Sequence, residues 1–261
     1  MKCVAYGETH PGYVRSNNED AFLWLPEANL AVVADGMAGH RFGELASAIA
    51  TNTIRRFYSS DELDHLLIGQ FARAKRAGLE PRPLPYDQFK LRRAMEEANL
   101  AIFNTARRNP QYDTMGTTIV GLSFGDKSAY VAHVGDSRIY RFRKGTLEQI
   151  TKDHSLFNEY VRMNLVRSED ADSFPLKNVV VRAMGLQEAV AADTAMKSVR
   201  DGDEFLLCSD GLSDYVPAAQ IESAMAQDGD PEAQVKRLLA LALQAGGPDN
   251  VTALVVRLED E

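Results

Sequence analysis

The chain is poor in cysteine, with Cys3 and Cys208 alone among 261 residues, and it has a single tryptophan. Two thiols cannot build a disulfide framework and suit a reducing compartment, so a stapled secreted scaffold is excluded. Long apolar runs are also missing. No stretch approaches the ~18 residues a membrane helix needs, and the N-terminal MKCVAYGETHPGY turns polar too early for a signal-peptide core. A cytoplasmic chain without membrane insertion is therefore expected. Positive charge is in deficit: 29 Lys and Arg face 37 Asp and Glu, a net charge of −8, with a pI near 5.2. That balance argues against a nucleic-acid partner. The remaining composition, 45% hydrophobic and 25% charged, is that of a folded protein long enough to bury a core unaided.

Short segments rich in Val, Ile, Phe and Tyr, bounded by Gly, Asp or Asn, predict strands at 4–6, 21–25, 30–34, 117–123, 128–134, 138–142, 204–208 and 251–258. Turn pairs Gly125-Asp126, Lys144-Gly145 and Asp201-Gly202 join neighbours into antiparallel hairpins. Apolar residues at three- and four-residue spacing predict helices over 43–58, 89–107 and 231–245, and shorter ones over 155–165 and 218–226. Strict βαβ alternation is absent, which disfavours a doubly wound parallel sheet and points to an α+β layered sandwich. Residues 61–88 turn basic and proline-bearing (Arg73, Lys75, Arg76, Pro81, Pro83, Pro85). They are expected to be a surface insert between two helices, with a docking surface as the alternative.

Acids recur at strand ends beside small residues: Ala34-Asp35-Gly36, Gly135-Asp136, Ser209-Asp210-Gly211 and Pro248-Asp249-Asn250. One such Asp is usually a turn residue. Four on strands that could lie side by side would repel strongly in a low dielectric unless cations neutralise them. Carboxylates and a carbonyl are hard donors suited to Mg²⁺ or Mn²⁺, and no Cys-x-x-Cys or His-x-x-x-His spacing supports zinc. Two such ions would activate a water and clamp an in-line displacement at phosphorus. Arg15, shortly before Glu19 and Asp20, offers a guanidinium fork for a phosphoryl group. Other mechanisms fare worse. The sixth residue after Cys208 is Asp214 and after Cys3 is Thr9, so a Cys-x5-Arg phosphatase loop is excluded. A P-loop and a Gly-x-Ser-x-Gly elbow are absent, although a Ser/His/Asp triad stays open on these grounds. Cys208 reads as a core residue, as does His133. His40 either reaches the site or caps the following helix, and His154 could fix a neighbouring loop.

The segments RSNNED (15–20), VVADGMAGH (32–40), MGTT (115–118), AHVGDSRIYRF (132–142), ITKDHS (150–155), NVVVRAMG (178–185), LLCSDGLSD (206–214) and GGPDNVTALVV (246–256) together resemble the PPM phosphatases of the protein phosphatase 2C type, in their compact bacterial form. The resemblance spans nearly the whole chain in the family's order. It implies one domain over 1–261, with a four-layer α-β-β-α sandwich of two mainly antiparallel sheets and a binuclear metal site at one end. Carried over by position, Asp35 would bridge two Mn²⁺ or Mg²⁺ ions, with Gly36 offering its carbonyl. Asp210 and Asp249 would complete the set, and Glu19 would contribute directly or through water. Asp136 with Asp210 would hold a third ion, Asp20 and Asn250 would support the ligands, and Arg15 and His40 would meet the substrate. A metal-bridging hydroxide would attack phosphorus directly, with no phosphoenzyme, and residues 156–178 would form a flap beside the site.

Three departures from the family pattern stand out. Met37 replaces a histidine proposed as general acid in eukaryotic members, Ala38 a frequent glycine, and His10 a common aspartate. All metal-ligand positions are kept. The resemblance thus implies a monomeric phosphoserine/phosphothreonine phosphatase acting on phosphorylated proteins opposite a bacterial Ser/Thr kinase. Its rivals are a non-hydrolysing phosphoprotein-binding module and a hydrolase of small phosphate esters.

Overall fold

The computed structural model describes residues 2–37, 42–78 and 84–259, with side chains omitted at 171–173. In chain order, β1 (Lys2–His10), β2 (Asp20–Leu25) and β3 (Leu30–Met37) precede α1 (Gly43–Tyr58), α2 (Asp61–Ala77) and α3 (Tyr86–Arg108). A meander of β4 (Gly116–Thr117), β5 (Ile119–Phe124), β6 (Ser128–Val134), β7 (Arg138–Arg143) and β8 (Thr146–Gln149) follows. Then come α4 (Leu156–Arg162), β9 (Asp193–Ser198), β10 (Glu204–Cys208), α5 (Asp210–Ser213), α6 (Ala218–Met225), α7 (Pro231–Gln244) and β11 (Val251–Glu259).

The strands form two sheets, β1-β11-β10-β7-β8 and β2-β3-β5-β6-β9, with β4 added to β3. Every ladder is antiparallel. Side chains alternate between faces along a strand, which explains why β3 and β11 are apolar throughout. On β3, Leu30, Val32 and Ala34 pack against α1 and α3, while Ala31 and Val33 pack into the space between the sheets. On β11, Leu254, Val256 and Leu258 fill the same interior. Val251, Ala253 and Val255 face the opposite way, toward α5–α7. Phe124 and Phe205 meet edge-on across the sheets at 5.3 Å between ring centroids. Three buried clusters separate four layers, and that is the expected α-β-β-α sandwich. No helix among the described residues is long and apolar enough to cross a membrane.

Within the expected surface insert, residues 61–77 form a helix. Ser60 caps α2 by accepting from Leu63 N, acids fill the first turn, and Leu67 is buried in the α1–α3 cluster with Phe71 packed beside it. α3 begins at Tyr86, three residues before the expected start. β8 and β9, unread in the sequence, are an edge hairpin partner and an edge strand. Their residues are mostly half-exposed or exposed. Such strands need only one apolar face and so lack the Val/Ile run that marks the others.

Candidate active site

The acids converge at one end of the sandwich because both sheets deliver strand ends there. Asp20 and Asp35 are directly opposed in the β2–β3 ladder, Asp136 sits in the β6–β7 turn, Asp210 opens α5 after β10, and Asp249 precedes β11. Arg15, Glu19, Asp35, Gly36, Asp136, Asp210, Asp249 and Asn250 all line one cavity of about 520 Å³. Met37, Thr114, Thr118, Val180 and Leu186 complete the wall. Thr118 and Val180 belong to the MGTT and NVVVRAMG segments, where the sequence assigns them no individual role, and Thr114 and Leu186 fall just outside those segments. His40 lies outside the described residues.

Hydrogen bonds fix the frame behind these carboxylates. Asn250 is a clamp: its Oδ1 accepts from Glu19 N at 2.8 Å, and its Nδ2 donates to Pro11 O at 2.9 Å and Asn17 O at 2.8 Å. It thereby ties the Arg15 loop to the start of β11. The carbonyl of Glu19 accepts from Gly36 N at 3.0 Å and from Ser47 Oγ at 2.6 Å. The carbonyl of Asp35 accepts from Thr118 N and Thr117 Oγ1, both at 2.8 Å. Asp249 accepts from Arg15 Nη2 at 2.8 Å, while its other oxygen takes the N–H of Asn250 at 2.8 Å. At Gly211 the α5 backbone comes so close to β11 that a Cβ would lie 1.9 Å from Asn250 O, so only glycine lets Asp210 and Asp249 approach. His10, in place of an acid, accepts from Gly12 N through Nδ1 at 2.9 Å and so supports the same loop by a different donor–acceptor pair.

The electrostatics are those of crowded anions. Burial, reinforced by Asp20, Asp210 and Asp136, raises the Asp35 carboxyl well above its ordinary range. Burial and then Asp136 and Asp214 raise Asp210. Asp136 is pushed up to about 7 by burial and the charges of Asp153 and Asp214. Glu19 is raised by burial, against which Arg15 acts. Among the described residues no Lys or Arg pairs with Asp35 or Asp210. Asp20 is buried; its Oδ2 accepts from Ser209 Oγ and Thr252 Oγ1, both at 2.7 Å, while its Oδ1 is buried without a partner. A converging, under-neutralised set of hard oxygens fits divalent cations of the Mg²⁺/Mn²⁺ type.

A second cluster of ligand-type groups, His133, His154 and Asp193, has one donor atom from each residue within 4.8 Å of the others. Its atoms are already engaged. Gly135 N–H donates to His154 Nδ1 at 3.0 Å, and His154 Nε2 lies 3.2 Å from Arg182 Nη1 and 3.4 Å from Asp193. Arg182 holds the Asp193 carboxylate at 2.7 Å. His133 stacks on His154 with centroids 4.6 Å apart and donates from Nε2 to Lys152 O at 2.9 Å. A cation here would have to displace Arg182 from both His154 and Asp193. The trio instead buttresses the turn that carries Asp136, and the return bond from His154 N to Gly135 O measures 2.9 Å. Burial, then His133 and Arg182, lower His154 to about 4, so it is neutral and able to accept. His154→Leu leaves a buried Gly135 N–H unpaired and is expected to cost roughly 1–3 kcal/mol. His154→Asn, whose Oδ1 falls near the position of Nδ1, should restore most of that; urea titration of the two variants decides it.

The pocket and its frame define a class: a hydrolase-type site of acids at the open end of a two-sheet sandwich, with a guanidinium at the rim. Comparison with known proteins narrows it. The protein phosphatase 2C family matches residues 10–247, and the chain belongs to that family. It is 36% identical over 249 residues to the serine/threonine protein phosphatase PstP of Mycobacterium tuberculosis, covering 95% of this chain and 44% of the relative. Against the serine/threonine phosphatase stp of Listeria welshimeri it is 32% identical over 251 residues, covering 95% of this chain and 93% of the relative. The chain thus spans under half of the mycobacterial protein's length and nearly all of the Listeria one. The crystal structure of M. tuberculosis PstP/Ppp superposes with a TM-score of 0.85 at 33% identity, covering 100% of both chains. The PstP catalytic domain in complex with two manganese ions gives 0.80 at 31% identity, covering 99% of each chain.

Proposed function

We propose that the chain is a Mn²⁺/Mg²⁺-dependent phosphoprotein phosphatase that hydrolyses phosphoserine and phosphothreonine, as a single cytoplasmic domain over residues 1–261, active as a monomer and opposed to a bacterial Ser/Thr kinase. The observation that carries this is the meeting of Asp35, from one sheet, and Asp210, from the other, in one open pocket with Arg15 at its edge. The two-manganese PstP structure supports the same reading. On this reading Asp35, Asp210 and Asp249, the Gly36 carbonyl and, directly or through water, Glu19 would hold the two ions, and Asp136 with Asp210 would hold a third. When bound, the ions supply the positive charge and the lowered water pKa that phosphoester hydrolysis needs at neutral pH.

The chain's own groups do the rest. Arg15, steadied on Asp249, presents its guanidinium to the phosphoryl oxygens. Asp20 stands behind Asp35 with its hydroxyl partners, and Asn250 keeps the Arg15 loop in register with Asp249. Met37 lines the wall and has no proton to give, so the leaving alkoxide is protonated by solvent or through His40. Residues 156–178 act as a flap and 61–88 as a surface insert.

The test is hydrolysis of a phosphothreonine peptide with Mn²⁺, its loss with chelator, and competition by p-nitrophenyl phosphate. Chelator-resistant turnover would overturn the reading, and a strong preference for the small ester would replace the protein substrate with a small one. Arg15→Ala should raise KM about tenfold, the worth of a charge-assisted hydrogen bond, with kcat less affected. An unchanged KM in steady-state kinetics removes Arg15 from phosphate binding.

A further inference from the structure

Beside the catalytic cavity lies a larger one, about 710 Å³ against about 520 Å³. Asp136 lines both, so the two adjoin at that residue. One wall is the start of α4 with Phe157 and the 177–178 segment, the other the 213–217 segment with Tyr215, and Gln149–Asp153 forms the base between them. A side chain entering the catalytic pocket would leave its neighbours in the peptide at this opening.

The charges in the groove are largely matched internally. Arg138 forks onto Asp153 through Nε and Nη2, the shorter bond 2.7 Å, and lies 3.9 Å from Asp214. Lys177 acts electrostatically on Asp214 as well. Lys152 differs. It is exposed, and its ammonium has no hydrogen bond or ion pair with any described residue. Its backbone, by contrast, is held firmly. Lys152 O accepts from His133, Thr151 Oγ1 accepts from Ile139 N at 3.0 Å, and Asp153 O accepts from Asn158 Nδ2 at 2.9 Å. A cation without a partner among the described residues, on a fixed stem, in a groove that adjoins the reaction pocket, is placed to read charge on a passing chain.

We propose that this groove receives the substrate residues flanking the phosphorylated one, and that Lys152 makes the enzyme favour a flanking acidic side chain. The proposal rests on the phosphoprotein phosphatase reading and adds its sequence preference. It is tested with phosphothreonine peptides in which Glu or Ala is placed in turn at each position from four before to four after the phosphorylated residue. The kcat/KM ratio of Glu to Ala peptides is measured for the wild type, Lys152→Met and Lys152→Glu.

For the wild type the ratio is expected to reach about threefold to fivefold at one or two adjacent positions, the range of an exposed ion pair, and to shrink in high salt. At those positions Lys152→Met brings it to about one, and Lys152→Glu inverts it. Because each ratio is taken within one protein, a variant of lowered overall activity still reports. Ratios near one at every position in the wild type, or a preference that survives Lys152→Glu, overturn the proposal and leave the phosphatase reading standing. Absence of turnover on every peptide with Mn²⁺ overturns both.

Discussion

Asp210→Asn is expected to lower phosphopeptide turnover by at least ~10³-fold while making the chelator-treated protein more stable. The loss follows from position. Asp210 lines the pocket with Asp35 and Asp249, and removing even one preorganised electrostatic contact to a developing charge costs roughly 10²–10³. On the proposed reading Asp210 would hold the ion itself, and losing that charge would cost more. The gain follows from the same crowding. Asp210 is raised by burial and by Asp136 and Asp214, so without cations its ionised form is unfavourable, and a neutral isostere relieves it. Relief on the order of 1–2 kcal/mol is a Tm rise of roughly 2–8 °C for a chain of this size. Activity and stability moving in opposite directions is the signature of a residue kept for chemistry. The checks are steady-state kinetics with Mn²⁺ and differential scanning fluorimetry in chelator. Full turnover by the variant would remove Asp210 from the site, and a fall in Tm would mark it as a structural cap of α5.

Much of this site was legible because each acid follows or precedes a strand whose apolar run is unmistakable. Val32–Ala34 and Leu206–Cys208 are buried on both faces, so they could be nothing but central strands, and the residues that end them had to lie at an end of the sheet. Which acids share an end was not legible from periodicity. The opposition of Asp20 and Asp35 is a property of the β2–β3 register, and the crossing of Asp210 to Asp35 is a property of sheet stacking. The family resemblance carried that part. Elements with mixed composition were harder. β9 reads Asp-Thr-Ala-Met-Lys-Ser, too polar to announce a strand, and it forms because β6 offers it a ladder. In 61–88 the prolines and basic residues drew attention from Ser60 as a cap and from Leu63, Leu67 and Phe71 at helical spacing, which do specify α2. His154 shows a different limit: its usefulness lies in the Gly135 N–H it accepts, and no local pattern names a partner nineteen residues away. Gly135 itself adopts φ +107°, and its place in the turn before Asp136 is what brings that N–H to the imidazole.

Stability in the absence of metal should fall as pH rises from about 6.5 to 8, and added Mn²⁺ should reverse the trend. The sign is fixed by the direction of the shifts. Asp20, Asp35, Asp136 and Asp210 all have folded-state pKa values above the ordinary carboxylate range, chiefly through burial. Each therefore contributes stability while protonated, fully present below an unfolded value near ~4 and lost as pH passes through the folded value, about 7 for Asp136. The buried histidines run the other way. His133 and His154 are lowered by burial, His154 to about 4, so they stabilise the fold above an unfolded value near ~6.5 and lose that contribution in acid. Below pH ~6.5 the two effects oppose and partly cancel. Above it the histidine contribution is constant, and what remains is the carboxylates giving up their protons to a crowded, under-neutralised pocket. Divalent ions bind the ionised form, so their stabilisation grows over the same interval. Tm measured in chelator and in Mn²⁺ should thus diverge steadily from pH 6.5 to 8. Asp136→Asn should flatten part of the metal-free slope, because its carboxylate titrates in that interval. Parallel curves would mean that the acids are not where the cations bind, and the whole assignment of the pocket would fall with that result.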